Sequence, residues 1–353
     1  MKFTVKYLFM VFILAAAFIM SGCSKDKAAV KAGTQILVDG AGRKVELSLP
    51  VKRVVVANSH NVELINSIGS AIEKVVGVDA NIYCDPIAYK GRFKEHQLIG
   101  ENQRFLNYEK IINLAPDVLL ISGNGHWQEA EKQLAPFGIK VFVLNAYYTG
   151  NFRHNCEIVG KIFGEEKAAA EFAGYFEDKL AYVKRQLQNV PKRRVYFEYR
   201  NQNVSVTPGR PYYKMVEYSG VQNIFDDADS PYIDGEAIIK RNPEYVVKAS
   251  ESQVRSRYTP PSEEDFKERK ARLLSRPGWE ELDAVKNDKI LLLSHYAFGG
   301  ACEITGSLYM AKFVYPEYLP ELHPEQIFKE WVEKYQRLPY VAGHTYPRFT
   351  FDD

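Results

Sequence analysis

The chain has 353 residues, 46% of them hydrophobic, with 23 glycines and 17 prolines scattered along it, which is enough for two globular lobes and unlike the composition of a disordered domain. Its 46 basic and 44 acidic residues leave a formal charge of +2, which excludes the large single-sign field that grips nucleic acid or an anionic membrane. What exceeds the needs of a core is the aromatic content, 23 Tyr and 20 Phe, since each tyrosine keeps a hydroxyl to satisfy.

Lys2 and Lys6 give a positive start, Leu8 to Met20 is uninterrupted apolar sequence, and Ser21-Gly22-Cys23 follows at once. The run is too short to span a bilayer, and small residues at its end suit a signal peptidase. Residues 1–22 resemble a lipoprotein signal peptide, with Met20 where leucine is usual. That resemblance implies a lipidated Cys23 as the mature N-terminus, and residues 23–34 read as a tether. Cys84, Cys156 and Cys302 remain, an odd number at spacings that match no zinc motif.

Ile36 to Leu47 alternates around Gly40-Ala41-Gly42 and predicts a β-hairpin. Strands at Val54–Val56, Val75–Val78, Val118–Ile121 and Val141–Leu144 are expected to alternate with helices at 62–70, 108–114 and 126–137, an α/β lobe with a mainly parallel sheet over residues 35–160. Glu165 to Gln188 lacks proline and spaces Ala169, Phe172, Phe176, Leu180 and Val183 three or four apart. It predicts a helix about 35 Å long that joins two lobes through residues 161–190. The pattern restarts at Arg194–Tyr199, with a helix at 212–219, strands at Val204–Val206, Tyr245–Val247 and Lys289–Leu293, and helices at 305–313 and 324–335. Residues 191–336 form the second lobe, and 337–353 are a tail whose packing the sequence leaves open.

One repeat ties the halves together. Glu109-Lys110-Ile111-Ile112-Asn113-Leu114-Ala115-Pro116-Asp117-Val118 recurs as Glu236-Ala237-Ile238-Ile239-Lys240-Arg241-Asn242-Pro243-Glu244-Tyr245. In each copy a Glu begins a short helix, two Ile bury its face, a Pro ends it and a carboxylate precedes a strand.

With the Asp39-Gly40-Ala41-Gly42-Arg43 start, Asn107-Tyr108-Glu109 running to Ala115-Pro116-Asp117-Val118, the long mid-chain helix and Arg276-Pro277-Gly278-Trp279, essentially the whole mature chain resembles the metal-chelate-binding class of ABC solute-binding proteins, which includes siderophore, haem and vitamin B12 receptors. The resemblance implies an α/β fold of two Rossmann-like lobes with mainly parallel sheets, joined by one long α-helix, and a ligand cleft between them. It implies a monomer, lipid-anchored on the outer side of the cytoplasmic membrane, that hands its ligand to an ABC permease and ATPase complex. It also implies that Glu109 and Glu236 meet arginines of the permease. The ligand order is iron-siderophore first, then haem or corrinoid, with no resident cofactor.

In open α/β lobes ligands bind beyond the C-terminal ends of the strands. The loops there hold Trp127, Tyr147, Tyr148, Arg210, Tyr212, Tyr213, Arg255, Arg257, Tyr258 and Tyr296, rigid aromatic area and guanidinium forks suited to a chelate with peripheral oxygens. His60, His126 and His295 also follow strands and are candidate metal ligands, the basis of an alternative reading as a receptor for free or weakly chelated Fe, Ni or Co. An exported enzyme is the remote alternative, because no Gly-x-Ser-x-Gly, P-loop or His-Glu-x-x-His motif is present.

Overall fold

Four short apolar runs in the first half of the chain become the strands of one sheet, because runs buried on both faces suit a sheet covered by helices on each side. The computed structural model describes residues 33–85, 87–249, 258–297 and 302–352, without the side chain of Cys302. The signal segment, Cys23, Arg255 and Arg257 lie outside the described residues.

The chain opens with the antiparallel hairpin β1 (Gly33–Val38) and β2 (Lys44–Leu49), in which Val38 faces Lys44. Then come β3 (Val54–Val56), α1 (Ser59–Asn66), β4 (Val75–Val78), α2 (Ala80–Tyr83), a small hairpin of β5 (Gly100–Asn102) and β6 (Phe105–Leu106), α3 (Tyr108–Asn113), β7 (Val118–Ile121), α4 (Trp127–Leu134), β8 (Lys140–Val143) and α5 (Phe152–Phe163). The four-stranded sheet has the order β4-β3-β7-β8, all parallel. Alternate side chains divide its faces: Val55, Leu119 and Ile121 pack on Ile111 of α3 and on Ala130 and Leu134 of α4, whereas Val54, Val56 and Leu120 belong to the main core with Val62 and Ile65 of α1 and Val159 of α5.

The long helix, α6, covers Glu166–Leu187, 22 residues and about 33 Å, and buries Ala169, Phe172, Ala173, Phe176, Val183 and Leu187. Gly164 at φ 72° ends α5 and lets the chain turn straight into it. The second half runs β9 (Arg194–Glu198), α7 (Tyr213–Ser219), β10 (Gln222–Asn223), α8 (Gly235–Arg241), β11 (Tyr245–Ala249), α9 (Glu263–Leu274), α10 (Asp283–Lys286), β12 (Ile290–Leu293), α11 (Cys302–Val314), α12 (Pro324–Glu330), a π-helical turn at Trp331–Tyr335 and β13 (Thr345–Tyr346). The sheet order is β10-β9-β11-β12-β13, parallel except for β13. Val204–Val206, expected as a strand, makes only the isolated bridges Glu198 to Ser205 and Val204 to Tyr232. The fold is thus α/β with two lobes, and one buried apolar cluster runs through both, from Val54 through Phe172 of α6 to Val195 and Leu291.

The last residue of the second lobe, Gln336, and the first of the tail, Arg337, reach back to the first lobe. Gln336 is buried and donates through Nε2 to the carbonyl of Glu63 at 2.8 Å and to Ser67 Oγ at 2.5 Å, while its own carbonyl accepts from Asn66 Nδ2 at 2.8 Å. Arg337 Nη1 adds a bond to the Asn66 carbonyl at 2.8 Å. These contacts close the C-terminal end of α1 in the first lobe. The chain then returns to the second, where β13 pairs antiparallel with β12 and Phe349 is buried beside Tyr309.

The repeat is a repeat of structure as well as of sequence. Asn107 and Asp234 cap α3 and α8 through side-chain oxygens. Glu109 and Glu236 are each the second helical residue, and Ile111 and Ile238 are the buried ones. Ala115 and Asn242 both take positive φ, 44° and 42°, just before the prolines. Asp117 then accepts from the backbone N–H of Arg53 at 2.9 Å, as Glu244 does from that of Arg194 at 2.8 Å, and the two arginines donate to the carbonyls of Leu114 and Arg241 that end the helices. One bracket thus locks the first strand of each sheet to its neighbour.

Candidate functional site

Where β3, β7 and β8 end, polar side chains hold the loops in place. Asn58, at φ 99°, donates its N–H to Asp79 Oδ2 at 2.9 Å and accepts from the N–H of His60 at 2.9 Å. Asp79 is fully buried, and burial pushes its carboxyl up to about 6 against the lowering effect of its backbone hydrogen bonds. Buried Asn61 accepts from the N–H of Ala146 at 3.2 Å, tying the β3 loop to the β8 loop that carries Tyr147 and Tyr148.

The second lobe answers with a built platform. Glu198, the last residue of β9, is wholly buried and receives Arg276 through two bonds of 2.7 and 2.9 Å, Lys248 at 2.9 Å and the N–H of Asn203 at 2.8 Å. Burial raises this carboxyl, but Arg276 and Lys248 outweigh it and hold the group below the usual range. Lys248 also donates to the carbonyls of Tyr199 and Arg200, both at 2.6 Å. That fixes the turn in which the Tyr199 ring stacks on Tyr212 at 5.0 Å and 23°. Arg200 lies over Tyr199 at 5.4 Å and donates to His295 Nε2. Tyr147 reaches this row from the first lobe. Its hydroxyl is pushed up by burial and then by the nearness of Tyr212. Tyr212, Tyr199, Arg200 and His295 therefore form one aromatic and cationic row in the second lobe, with Tyr147 of the first lobe near enough to Tyr212 to feel its charge.

Beside the row, Tyr218 of α7 donates its hydroxyl to the Thr149 carbonyl at 2.9 Å. Glu303 of α11 lies fully buried against Thr149, and among the described residues neither of its carboxyl oxygens makes a hydrogen bond of standard geometry. Burial pushes the Glu303 carboxyl up to about 8, with Thr149 and Lys214 acting in the opposite direction.

Of the residues singled out from sequence, Tyr147 lies near Tyr212, and Tyr148 and Arg210 are exposed near them in sequence. The others separate. Tyr258 and Tyr296 are buried at 1% and 2% exposure, edge to face at 5.5 Å, with Tyr296 against Phe328, Trp331 and His344. Among the described residues, that packing buries both rings in the core. Tyr213 donates to Asp226 at 2.8 Å. Trp127 is half-buried under the Arg43 guanidinium at 4.3 Å, where the opening hairpin meets α4. His60 Nδ1 is 3.5 Å from Glu63 Oε2, His126 is exposed at the head of α4, and His295 meets Arg200. Among the described residues no group of three or more His, Cys, Asp or Glu side chains is arranged to hold a metal ion, so the three histidines do not converge on one. Glu109 and Glu236 are exposed. Sequence reading missed Tyr199, Arg200, Lys248 and Glu303. The first two were hidden because β9 ends at Glu198, one residue short of the predicted strand.

Residues 54–297 match the family described as periplasmic binding protein. A vitamin B12-binding protein of Vibrio vulnificus is 23% identical over 198 residues, which are 55% of this chain and 70% of that protein. Among solved structures, the TroA-like periplasmic binding protein FepB of Veillonella parvula is similar with a TM-score of 0.71 at 20% identity, covering 89% of this chain and 99% of the other. The molybdate periplasmic binding protein MolA of Haemophilus influenzae has a TM-score of 0.68 at 17% identity, covering 87% and 99%.

Proposed function

The chain belongs to the periplasmic binding protein family, a substrate-binding protein of the ABC-transporter type rather than an enzyme, and from that premise we propose that it captures a metal chelate and delivers it to an ABC permease and ATPase complex. An iron-siderophore is the first choice, with haem or a corrinoid next. The observation that carries the reading is the Tyr212–Tyr199 stack with Arg200 and His295 behind it, with the half-buried Tyr147 of the first lobe near Tyr212. Stacked rings offer rigid apolar area to the body of a chelate, and an arginine offers a fork to its peripheral oxygens. The absence of a three-residue metal-ligating group among the described residues favours a ligand that brings its own coordination shell. In this reading the protein works in the cell envelope as a monomer anchored through Cys23, and Glu109 and Glu236 meet basic residues of the permease.

Calorimetric titration of the protein from Ser24 onward with ferric hydroxamates, ferric catecholates, haemin, cobalamin and free metal ions tests it. One chelate should saturate at one equivalent, with affinity reduced roughly 10- to 100-fold by Tyr147→Ala or Arg200→Ala. Heat from free metal ions alone would move the assignment to the histidines, and silence toward every chelate would overturn it.

A further inference from the structure

The two most exposed aromatic side chains among the described residues are Tyr232 at 77% and Phe105 at 63%. A single exposed ring says little, because much of any protein surface is apolar. These two occupy one position of the duplicated unit. Phe105 stands four residues before Glu109, and Tyr232 stands four residues before Glu236. The correspondence extends through every residue between them and the helices: Leu106 and Ile233 pack inward, and Asn107 and Asp234 cap.

Backbone pairing holds each ring outward by similar means. Phe105 pairs antiparallel with Asn102 in the β5–β6 hairpin, and Tyr232 forms an antiparallel bridge with Val204. In the first copy the approach is so close that Gly100, at φ 144°, has no room for a Cβ beside the Phe105 carbonyl. The chain therefore presents the same element twice, an exposed aromatic ring followed by an exposed carboxylate, once on each lobe.

We infer that Phe105 and Tyr232 are paired aromatic anchors of the surface on which this protein docks, and that the partner is a membrane permease whose two equivalent subunits each offer a pocket for a ring beside a basic residue. The inference rests on the reading of the chain as an importer's binding protein and adds two residues to it. A surface duplicated on two lobes fits a partner that repeats its own surface about a twofold axis. Rings seated in pockets beside charge pairs are the contacts that carry most of an interface's energy. The paired carboxylates favour a basic partner over a second copy of this chain, which would set carboxylate against carboxylate.

Benzoylphenylalanine placed in turn at positions 105, 109, 232, 236 and, as a control, at exposed Phe137 allows photocrosslinking in membranes of the native cell, with the adducts identified by mass spectrometry. Adducts to a membrane-spanning permease from both 105 and 232, and none from 137, are expected. Phe105→Ala and Tyr232→Ala should each weaken capture of the protein by those membranes about tenfold while ligand titration of the soluble protein is unchanged. Permease adducts from 109 and 236 without adducts from both 105 and 232 would overturn the anchors and leave the importer reading standing. No permease adduct from any of the four would remove both, and adducts joining two copies of this chain would replace the permease with a self-association surface.

Discussion

Among single residues, Glu303 carries the clearest consequence for solution behaviour. Its carboxyl is ordinarily near 4.5 and is pushed up to about 8 by burial, so between those values the folded chain keeps a proton that the unfolded chain releases. Stability from this group is present at low pH and falls away as pH rises toward 8. His344 sets the opposite limit, since burial lowers it from 6.5 to about 3 and the unfolded chain takes up a proton first as pH falls through that range. Asp79, raised from 3.8 to about 6, declines in the same direction as Glu303. These three groups together favour the folded chain most in acid and lose stability as pH rises above the unfolded Glu303 value. Glu303→Gln is expected to remove the decline, raising Tm at pH 8.5 by about 2–4 °C relative to its effect at about pH 4, below the unfolded value; an equal shift at both values would show that ionisation is not the cause. The same scale shows what sequence cannot resolve. Tyr147 and Tyr296 both follow a strand, yet one lies near Tyr212 at the seam between the lobes and the other is sealed under Phe328 and Trp331, because the loop after β12 is covered by α12, which comes later in the chain.

Elements announce themselves in sequence when they bury a full stripe. The long helix α6 was legible because six of its residues are buried at helical spacing. In α9 only Phe266 and Leu273 are buried, one residue per two turns, and the Ser262 capping box was the only remaining sign of a helix among charged residues. The junction of the second lobe and the tail was harder still, since Gln336 and Arg337 are held by hydrogen bonds rather than by periodic apolar residues. The Gln336 side-chain amide donates to the Glu63 carbonyl and to Ser67 Oγ at the end of α1, so Gln336→Ala removes both bonds and empties a buried site, while the backbone carbonyl of residue 336 still accepts from Asn66. A loss of about 2–3 kcal/mol is expected, measured by urea unfolding, together with faster amide exchange in the last turn of α1. A variant as stable as the parent, with α1 equally protected, would mean that water replaces the glutamine amide at no cost.

For the molecule as a whole, the two-lobe plan could be read from the repeat of Glu, two Ile and Pro alone, because the same bracket of arginine, carboxylate and positive-φ residue is built twice. That the lobes are rigidly joined, with only small closure, is implied by the family resemblance; which contacts join them could not be read. One apolar cluster spans both sheets, α6 runs between them, and Gln336 grips the first lobe before the tail pairs with the sheet of the second. Such a frame resists large hinge motion. Small-angle scattering with and without a bound chelate should show a change in maximum dimension below about 2 Å, and a larger contraction would show that the seam opens widely in the free protein. The same junction also sets an order of events. A chain that emerges N-terminus first, whether from a ribosome or across a membrane, presents the first lobe well over a hundred residues before Gln336, so until then the end of α1 stays open to water. Neither lobe is finished until the same late stretch of chain has emerged, and the two halves mature together however far apart they were made.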